Sequence, residues 1–321
     1  MQEDNLSQRL KASSHYCDRQ NQALFITHRS YSASQKFKKS VKDYLMSVLP
    51  VSALRRGKIL AYKLVNSLVP FLGAIHKKYY SNNSLCIDIT TACNLRCFNC
   101  QSSVRQAPAN DNMSVEQVER FVQEAIGLKY YWDRISLFGG EPTLHPQFFK
   151  ILGALKRYKD FNPDCIIDVV TNGAGERVSS VLSKLPGWLA VENTGKVEGQ
   201  NSHPFGSYNI APIDCLPYRF LTDFAKGCSR VSSCYGLELS IYGYYPCSPC
   251  MGVDRVFGFD IGIKKLSLVS EKALRGQMKI LCQYCGWFRE PTEIIWEEKM
   301  SHTWKRAYAE YKKQRPNLSL Y

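Results

Sequence analysis

From residue 84 onward, short apolar runs alternate with stretches of helical period. LCIDIT (85–90), RISLFG (134–139), CIIDVVTNG (165–173) and WLAVEN (188–193) predict strands, and SYNIAP (207–212) predicts a fifth. Between them the pattern predicts helices over about 114–127, 146–160 and 176–185. The first helix opens on Ser114-Val115-Glu116-Gln117, a capping box in which the Ser and Gln side chains satisfy each other's backbone N–H. LELSIYGYYPC (237–247) predicts a hairpin turning at Tyr242-Gly243. In SHTWKRAYAEY (301–311), Trp304, Tyr308 and Tyr311 recur at helical spacing, the mark of a packing face. This βα rhythm with largely apolar strands predicts an α/β fold, a parallel sheet or barrel with helices outside. In such folds the active site gathers in the loops at the carboxyl ends of the strands.

The first 83 residues read differently. Residues 1–34 are polar and aperiodic, a tail. Phe37, Val41, Tyr44, Leu45 and Val48 then share one helical face, with lysines opposite, until Pro50 stops the helix. KILAYKLVNSLVPFLGAIHKKYY (58–80) is interrupted by Lys63, Asn66 and Pro70, so it falls short of the ~20 clean apolar residues of a spanning helix. The pair predicts a helical cap on the domain that follows. Its second reading is a basic surface, residues 36–80, resting on the inner face of an anionic membrane.

Charge sharpens this division. The formal net charge is +14, and residues 1–83 carry 14 Lys+Arg against 4 Asp+Glu. The basic excess belongs to the extension and not to the body, which disfavours a nucleic-acid enzyme. MQEDNLSQRLKASS holds no apolar h-region, so the expected compartment is the reducing cytoplasm. There, 13 cysteines gathered in motifs point to metal binding rather than cross-linking.

The candidate chemistry sits at predicted strand ends. TTACNLRCFNC (90–100) follows the first strand and spaces Cys93, Cys97 and Cys100 as Cx3Cx2C. Three thiolates hold a metal cluster with one corner left free, where a fourth would close it. LFGGEPTLHP (137–146) ends the second strand, its two glycines allowing a close backbone approach and its Glu adding a carboxylate. Together these motifs, one strand apart, resemble the radical S-adenosylmethionine (SAM) superfamily over about residues 84–290, without a substitution in either motif. The resemblance implies a partial (β/α)6 barrel. It also implies a [4Fe-4S] cluster on Cys93, Cys97 and Cys100 whose free iron binds SAM. Phe98 would then contact the adenine, and Gly139, Gly140, Glu141 and Pro142 the methionine end. Thr171, Asn172 and Gly173 match a further loop close to SAM. One electron from the cluster would cleave bound SAM to a 5′-deoxyadenosyl radical.

A second cysteine field follows, GCSRVSSCYGLELSIYGYYPCSPC (227–250) and LCQYCGWF (281–288). Cys247-x2-Cys250 and Cys282-x2-Cys285 have the spacing of a zinc ribbon, apart from a long gap between the pairs. The field also resembles the SPASM/twitch region of radical SAM enzymes, which implies a second, auxiliary [4Fe-4S] cluster. The ligands implied are Cys228, Cys247, Cys282 and Cys285, with Cys234 as the replacement; Cys250 is the one the family pattern does not require. Cys17, Cys86, Cys165 and Cys215 stand isolated, and His145 and His302 read as structural.

The expected organisation is therefore a basic helical extension (1–83), a radical SAM core (84–215), a small Cys-rich twitch/SPASM-like region (216–295) and a C-terminal helix (296–321). The layout resembles that of 2-deoxy-scyllo-inosamine dehydrogenase-type enzymes. It implies a two-electron oxidation of a hydroxyl-bearing sugar or cyclitol, fed by a flavodoxin- or ferredoxin-type donor. Glu192, Lys196 and Asp214 are candidate bases, with His203 beside them. Two other readings are a maturase acting on a ribosomally made peptide and a non-catalytic metal-binding scaffold docking through its basic arm.

Overall fold

The computed structural model describes residues 83–196, 209–215, 224, 236–288 and 300–321. The N-terminal extension, His203, Cys17, Cys228 and Cys234 lie outside the described residues. Four βα-type strands appear where apolar runs predict them: β1 (Ser84–Asp88), β2 (Arg134–Phe138), β3 (Ile166–Thr171) and β4 (Ala190–Asn193). Each pairs in parallel with the next. Three helices connect them: α1 (Val115–Gly127), α2 (Phe148–Phe161) and α3 (Glu176–Leu182). The α1 capping box forms as expected, with Gln117 N–H donating to Ser114 Oγ at 3.2 Å and Ser114 N–H to Gln117 Oε1 at 2.9 Å.

The hairpin forms as β5 (Leu237–Ser240) and β6 (Gly243–Tyr245), but it turns at Ile241-Tyr242, one residue earlier than predicted. It does not stand apart from the core sheet. β5 pairs in parallel with β1, so the six-stranded sheet of the described residues runs β4-β3-β2-β1-β5-β6 and stays open, a partial barrel. The predicted fifth strand is corrected among the described residues: Pro212–Asp214 form a 3-10 turn, because Pro212 fixes φ and brings no N–H to a ladder. Beyond the hairpin lie α4 (Ser248–Phe257), α5 (Glu271–Leu281) and α6 (His302–Lys313). No helix among the described residues is long and apolar enough to cross a membrane.

Period-2 alternation gives the sheet two unlike faces. Leu85, Ile87, Ile135, Leu137, Ile167, Val169, Val191, Leu237 and Leu239 pack with Phe121, Val122, Leu152, Leu155 and Val178 of the helices in one core. Cys86, Asp88, Ser136, Asp168, Glu238 and Ser240 occupy the other face, and all are buried. A second core gathers Tyr245, Met251, Val253 and Leu281 around Trp304, Tyr308 and Tyr311 of α6. The aromatic stripe is thus a packing face. Trp304 Nε1 donates to the Tyr284 carbonyl at 2.7 Å, and the Ser103 and Tyr308 hydroxyls meet at 2.9 Å.

Candidate active site

The loops that leave β1 to β4 are fastened to one another in order. Backbone N–H groups of Gly140 and Glu141 donate to the carbonyls of Thr90 and Ala92, each at 2.7 Å, tying the GGEP loop to the cysteine loop. Glycine is required for that approach: a Cβ on Gly139 would stand 2.4 Å from the Thr90 oxygen, and one on Gly140 2.4 Å from the Ala92 oxygen. At the far side, Thr194 and Lys196 N–H groups donate to the carbonyls of Thr171 and Asn172, each at 2.9 Å, joining the β4 loop to the TNG loop.

Glu141 is the clamp between these pairs. Its carboxylate is fully buried and accepts from Thr143 N–H (3.3 Å), Thr143 Oγ1 (2.7 Å), Thr171 Oγ1 (2.8 Å) and Asn172 N–H (2.7 Å). The resemblance assigns Glu141 to the methionine end of SAM; the structure commits its side chain to holding two loops in register. Asn172 continues the lattice. Its Nδ2 donates to Asn94 Oδ1 at 2.9 Å and approaches Cys93 Sγ at 4.0 Å, while its Oδ1 accepts from Ala174 N–H at 2.7 Å. Asn94 Nδ2 in turn donates to the Ala174 carbonyl at 2.8 Å.

Cys93, Cys97 and Cys100 carry free thiols on the loop so framed. Burial pushes the Cys93 thiol up to about 11, with the Cys100, Glu141 and Cys97 charges adding to the rise and the Leu95 N–H, 3.4 Å from Sγ, opposing it. Burial also raises Cys97, and the Lys196 charge acts against it. Among the described residues no group of three or more His, Cys, Asp or Glu side chains stands in finished metal-binding geometry. The donor set nonetheless suits a cluster: three unpaired thiols share one loop and one electrostatic neighbourhood, with an N–H already directed at sulfur and a cation alongside. Phe98 is half-buried, with the Arg105 guanidinium 5.1 Å over its ring.

The polar face of the sheet lies behind these loops. The register sets Glu238, Cys86, Ser136 and Asp168 side by side across β5, β1, β2 and β3. Arg134 binds Asp168 through two nitrogens, at 2.9 and 2.7 Å, and reaches Glu192 at 3.2 Å. Burial, reinforced by the Asp168 charge, raises Glu192 to about 7 despite Arg134. Burial raises Asp88 to about 6, opposed by Arg255. Of the sequence candidates for a base, Glu192 lies on this face and Lys196 near Cys97. Asp214 is reassigned. Burial would raise it, but hydrogen bonds from Ser301 and Thr303 hold it below the usual carboxylate range, and it caps α6 by accepting from Thr303 N–H (3.1 Å) and Oγ1 (2.7 Å). His145 is structural as expected: Nδ1 accepts from Gln147 N–H at 3.0 Å, which leaves Nε2–H for the Met113 carbonyl at 2.9 Å.

In the C-terminal core, Cys247 and Cys250 begin α4, and Cys282 and Cys285 flank the turn after α5. All four are buried in that core. The neighbouring thiols of Cys247 and Cys282, and then burial, push the thiol of Cys250, which the family pattern does not require, well above its ordinary value.

A partial barrel with a three-thiol loop laced to a glycine-rich loop at its strand ends defines a protein built to hold an iron–sulfur cluster beside a small cofactor. Residues 87–187 match the radical SAM superfamily, and this part of the chain is a radical SAM domain. The curated relatives it matches include a probable GTP 3′,8-cyclase of Thermococcus kodakarensis, 29% identical over 104 residues, 32% of this chain and 30% of that one. A probable GTP 3′,8-cyclase of Methanocella arvoryzae is 34% identical over 91 residues, 28% of this chain and 27% of that one. The chain thus spans less than a third of the length of these relatives. Among solved structures, BtrN in complex with AdoMet and 2-DOIA aligns with a TM-score of 0.39 and 14% identity, over 65% of this chain and 94% of that one.

Proposed function

We propose that this protein is a radical SAM oxidoreductase that removes two electrons from a hydroxyl-bearing sugar or cyclitol. The observation that carries the reading is Glu192, half-buried on the polar face of the sheet and raised to about 7 beside strand-end loops that match SAM-binding motifs. When bound, the cluster with SAM supplies a 5′-deoxyadenosyl radical that takes a hydrogen atom from carbon, and a second thiolate-held iron–sulfur centre supplies the acceptor for the remaining electron. The chain's own residues do the rest. Cys93, Cys97 and Cys100 hold the cluster, Glu141 and Asn172 keep the surrounding loops in place, and Glu192 takes the hydroxyl proton. The electron donor is of the flavodoxin or ferredoxin type.

Glu192→Gln tests the assignment of the base. Substrate oxidation is expected to fall about 10²–10⁴-fold, the usual contribution of a positioned base. Release of 5′-deoxyadenosine in the absence of substrate should stay within twofold, because an amide of the same shape leaves the strand-end loops untouched. A base must be ionised to accept a proton, so wild-type oxidation should decline as pH falls through about 7. The variant should lose that limb of the profile. An unchanged acidic limb in Glu192→Gln would assign the proton to another group.

A further inference from the structure

The carboxyl ends of β1 and β5 lie side by side on the polar face of the sheet. Their register pairs Ile87 with Leu239, so the last residues of the two strands, Asp88 and Ser240, are neighbours. With Tyr242 of the hairpin turn and Met251 and Arg255 of α4, they line a narrow cleft of about 210 Å³, its open mouth included. Thr90 and Thr91 also line it and lead directly into the loop that carries Cys93.

The walls of this cleft are held by bonds that leave part of its lining uncommitted. The Ile241 carbonyl accepts from Tyr321 N–H at 2.9 Å, and the Tyr242 carbonyl from Lys264 Nζ at 2.6 Å. The Tyr242 hydroxyl donates to Asp111 at 3.1 Å, and Arg315 pairs with the same carboxylate. Arg255 donates to the Ser102 carbonyl, just past Cys100. Ser240 Oγ accepts from Tyr242 N–H at 3.1 Å, yet among the described residues its own O–H meets no acceptor. Asp88, Ser240 and Arg255 are each at most 5% exposed.

Two buried charges of opposite sign therefore line one small space, and burial of each is costly unless hydrogen bonds offset it. A carboxylate only accepts and a guanidinium only donates. An ionic ligand would meet a like charge on one of them. Neighbouring hydroxyls satisfy both: one O–H donates to Asp88, the next oxygen accepts from Arg255, and Ser240 can do either. Glu238, two residues back on the same face, accepts from Ser248 Oγ at 2.6 Å. Burial pushes it well above the carboxylate range, so it adds little charge.

We propose that Asp88, Ser240 and Arg255 form a subsite for two neighbouring, non-reacting hydroxyls of a neutral polyol substrate. The inference rests on the function proposed above and deepens it. Glu192 serves the carbon that reacts, whereas this cleft sets which polyol is accepted and takes no part in the chemistry.

The test is equilibrium dialysis of radiolabelled myo-inositol, glucose and glycerol against full-length, anaerobically reconstituted protein with SAM. At least one of these polyols should bind saturably. Asp88→Asn and Arg255→Lys should each weaken it by about tenfold or more, the usual loss of a hydrogen bond to a charged group. Asp88→Asn keeps the shape of the side chain, so it carries the test even where Arg255→Lys disturbs the Ser102 contact. Cyclohexanol, with its single hydroxyl, should bind wild type and Asp88→Asn alike, which shows a lost preference rather than a lost fold. Undiminished polyol binding in both variants overturns the subsite and leaves the proposed oxidation standing. Tighter binding of inorganic phosphate or cyclohexylamine than of any polyol, lost in the same variants, makes the cleft an ion site and overturns it too. If none of the polyols binds the wild type, this inference and the function beneath it both fall.

Discussion

Cys97→Ala is expected to reduce 5′-deoxyadenosine release by the dithionite-reduced protein to background, a loss of at least three orders of magnitude. Cys97 is the most buried of the three residues, 8% exposed and packed with Leu95 and Ala174. No other cysteine described near it could replace it, since Cys86 is buried among the carboxylates of the polar face. With two thiolates left, the cluster loses one of its three anchors and with it the fixed corner at which SAM must bind. The variant should keep its fold, because the loop is held by backbone and asparagine hydrogen bonds rather than by the thiol itself. Circular dichroism should therefore match wild type, while iron content and the change in the reduced cluster's electron paramagnetic resonance signal on adding SAM should both collapse. Undiminished deoxyadenosine release would remove the ligand assignment.

The parts of this architecture legible in the sequence are those written locally. Apolar runs at β1 to β4, the Ser114–Gln117 capping box and both motifs at strand ends depend on neighbours within a few residues, and each appears where expected. What escaped depends on distant partners. Nothing in LELSIYGYY states that Leu237 will pair with Leu85, across some 150 residues of chain, and so extend the core sheet. The polar face was nearer to hand. SLCID, RISLF and LELS alternate with period two, but averaging each strand as largely apolar hides the row of Cys86, Ser136 and Glu238. Asp214 looked like a base because strand-end position was read without its partner, the first turn of α6.

Glu141→Ala is expected to cost nearly as much deoxyadenosine release as loss of a cluster ligand, on the order of 10²-fold or more, without altering a single thiol. The resemblance makes Glu141 part of a methionine clamp, whereas its geometry makes it the fastener of the clamp. Removing the carboxylate leaves Thr143 N–H and Oγ1, Thr171 Oγ1 and Asn172 N–H facing a buried hole. Each buried donor without a partner costs about 1–3 kcal/mol, so the two loops should part and admit water rather than remain closed. Parting them displaces Asn172, which holds Asn94 and, through Ala174, the start of the cysteine loop. The consequence should therefore appear in SAM binding before it appears in iron content. Reconstituted Glu141→Ala should hold close to wild-type iron but bind SAM at least tenfold more weakly, with faster amide hydrogen exchange at Thr143 and Asn172. Glu141→Gln sorts the two roles. Its amide keeps one acceptor oxygen for the threonines but turns a donor toward the Asn172 N–H, so it should fall between wild type and alanine. If Glu141→Gln matched wild type in both SAM affinity and exchange, the carboxylate would not be the element that holds these loops together.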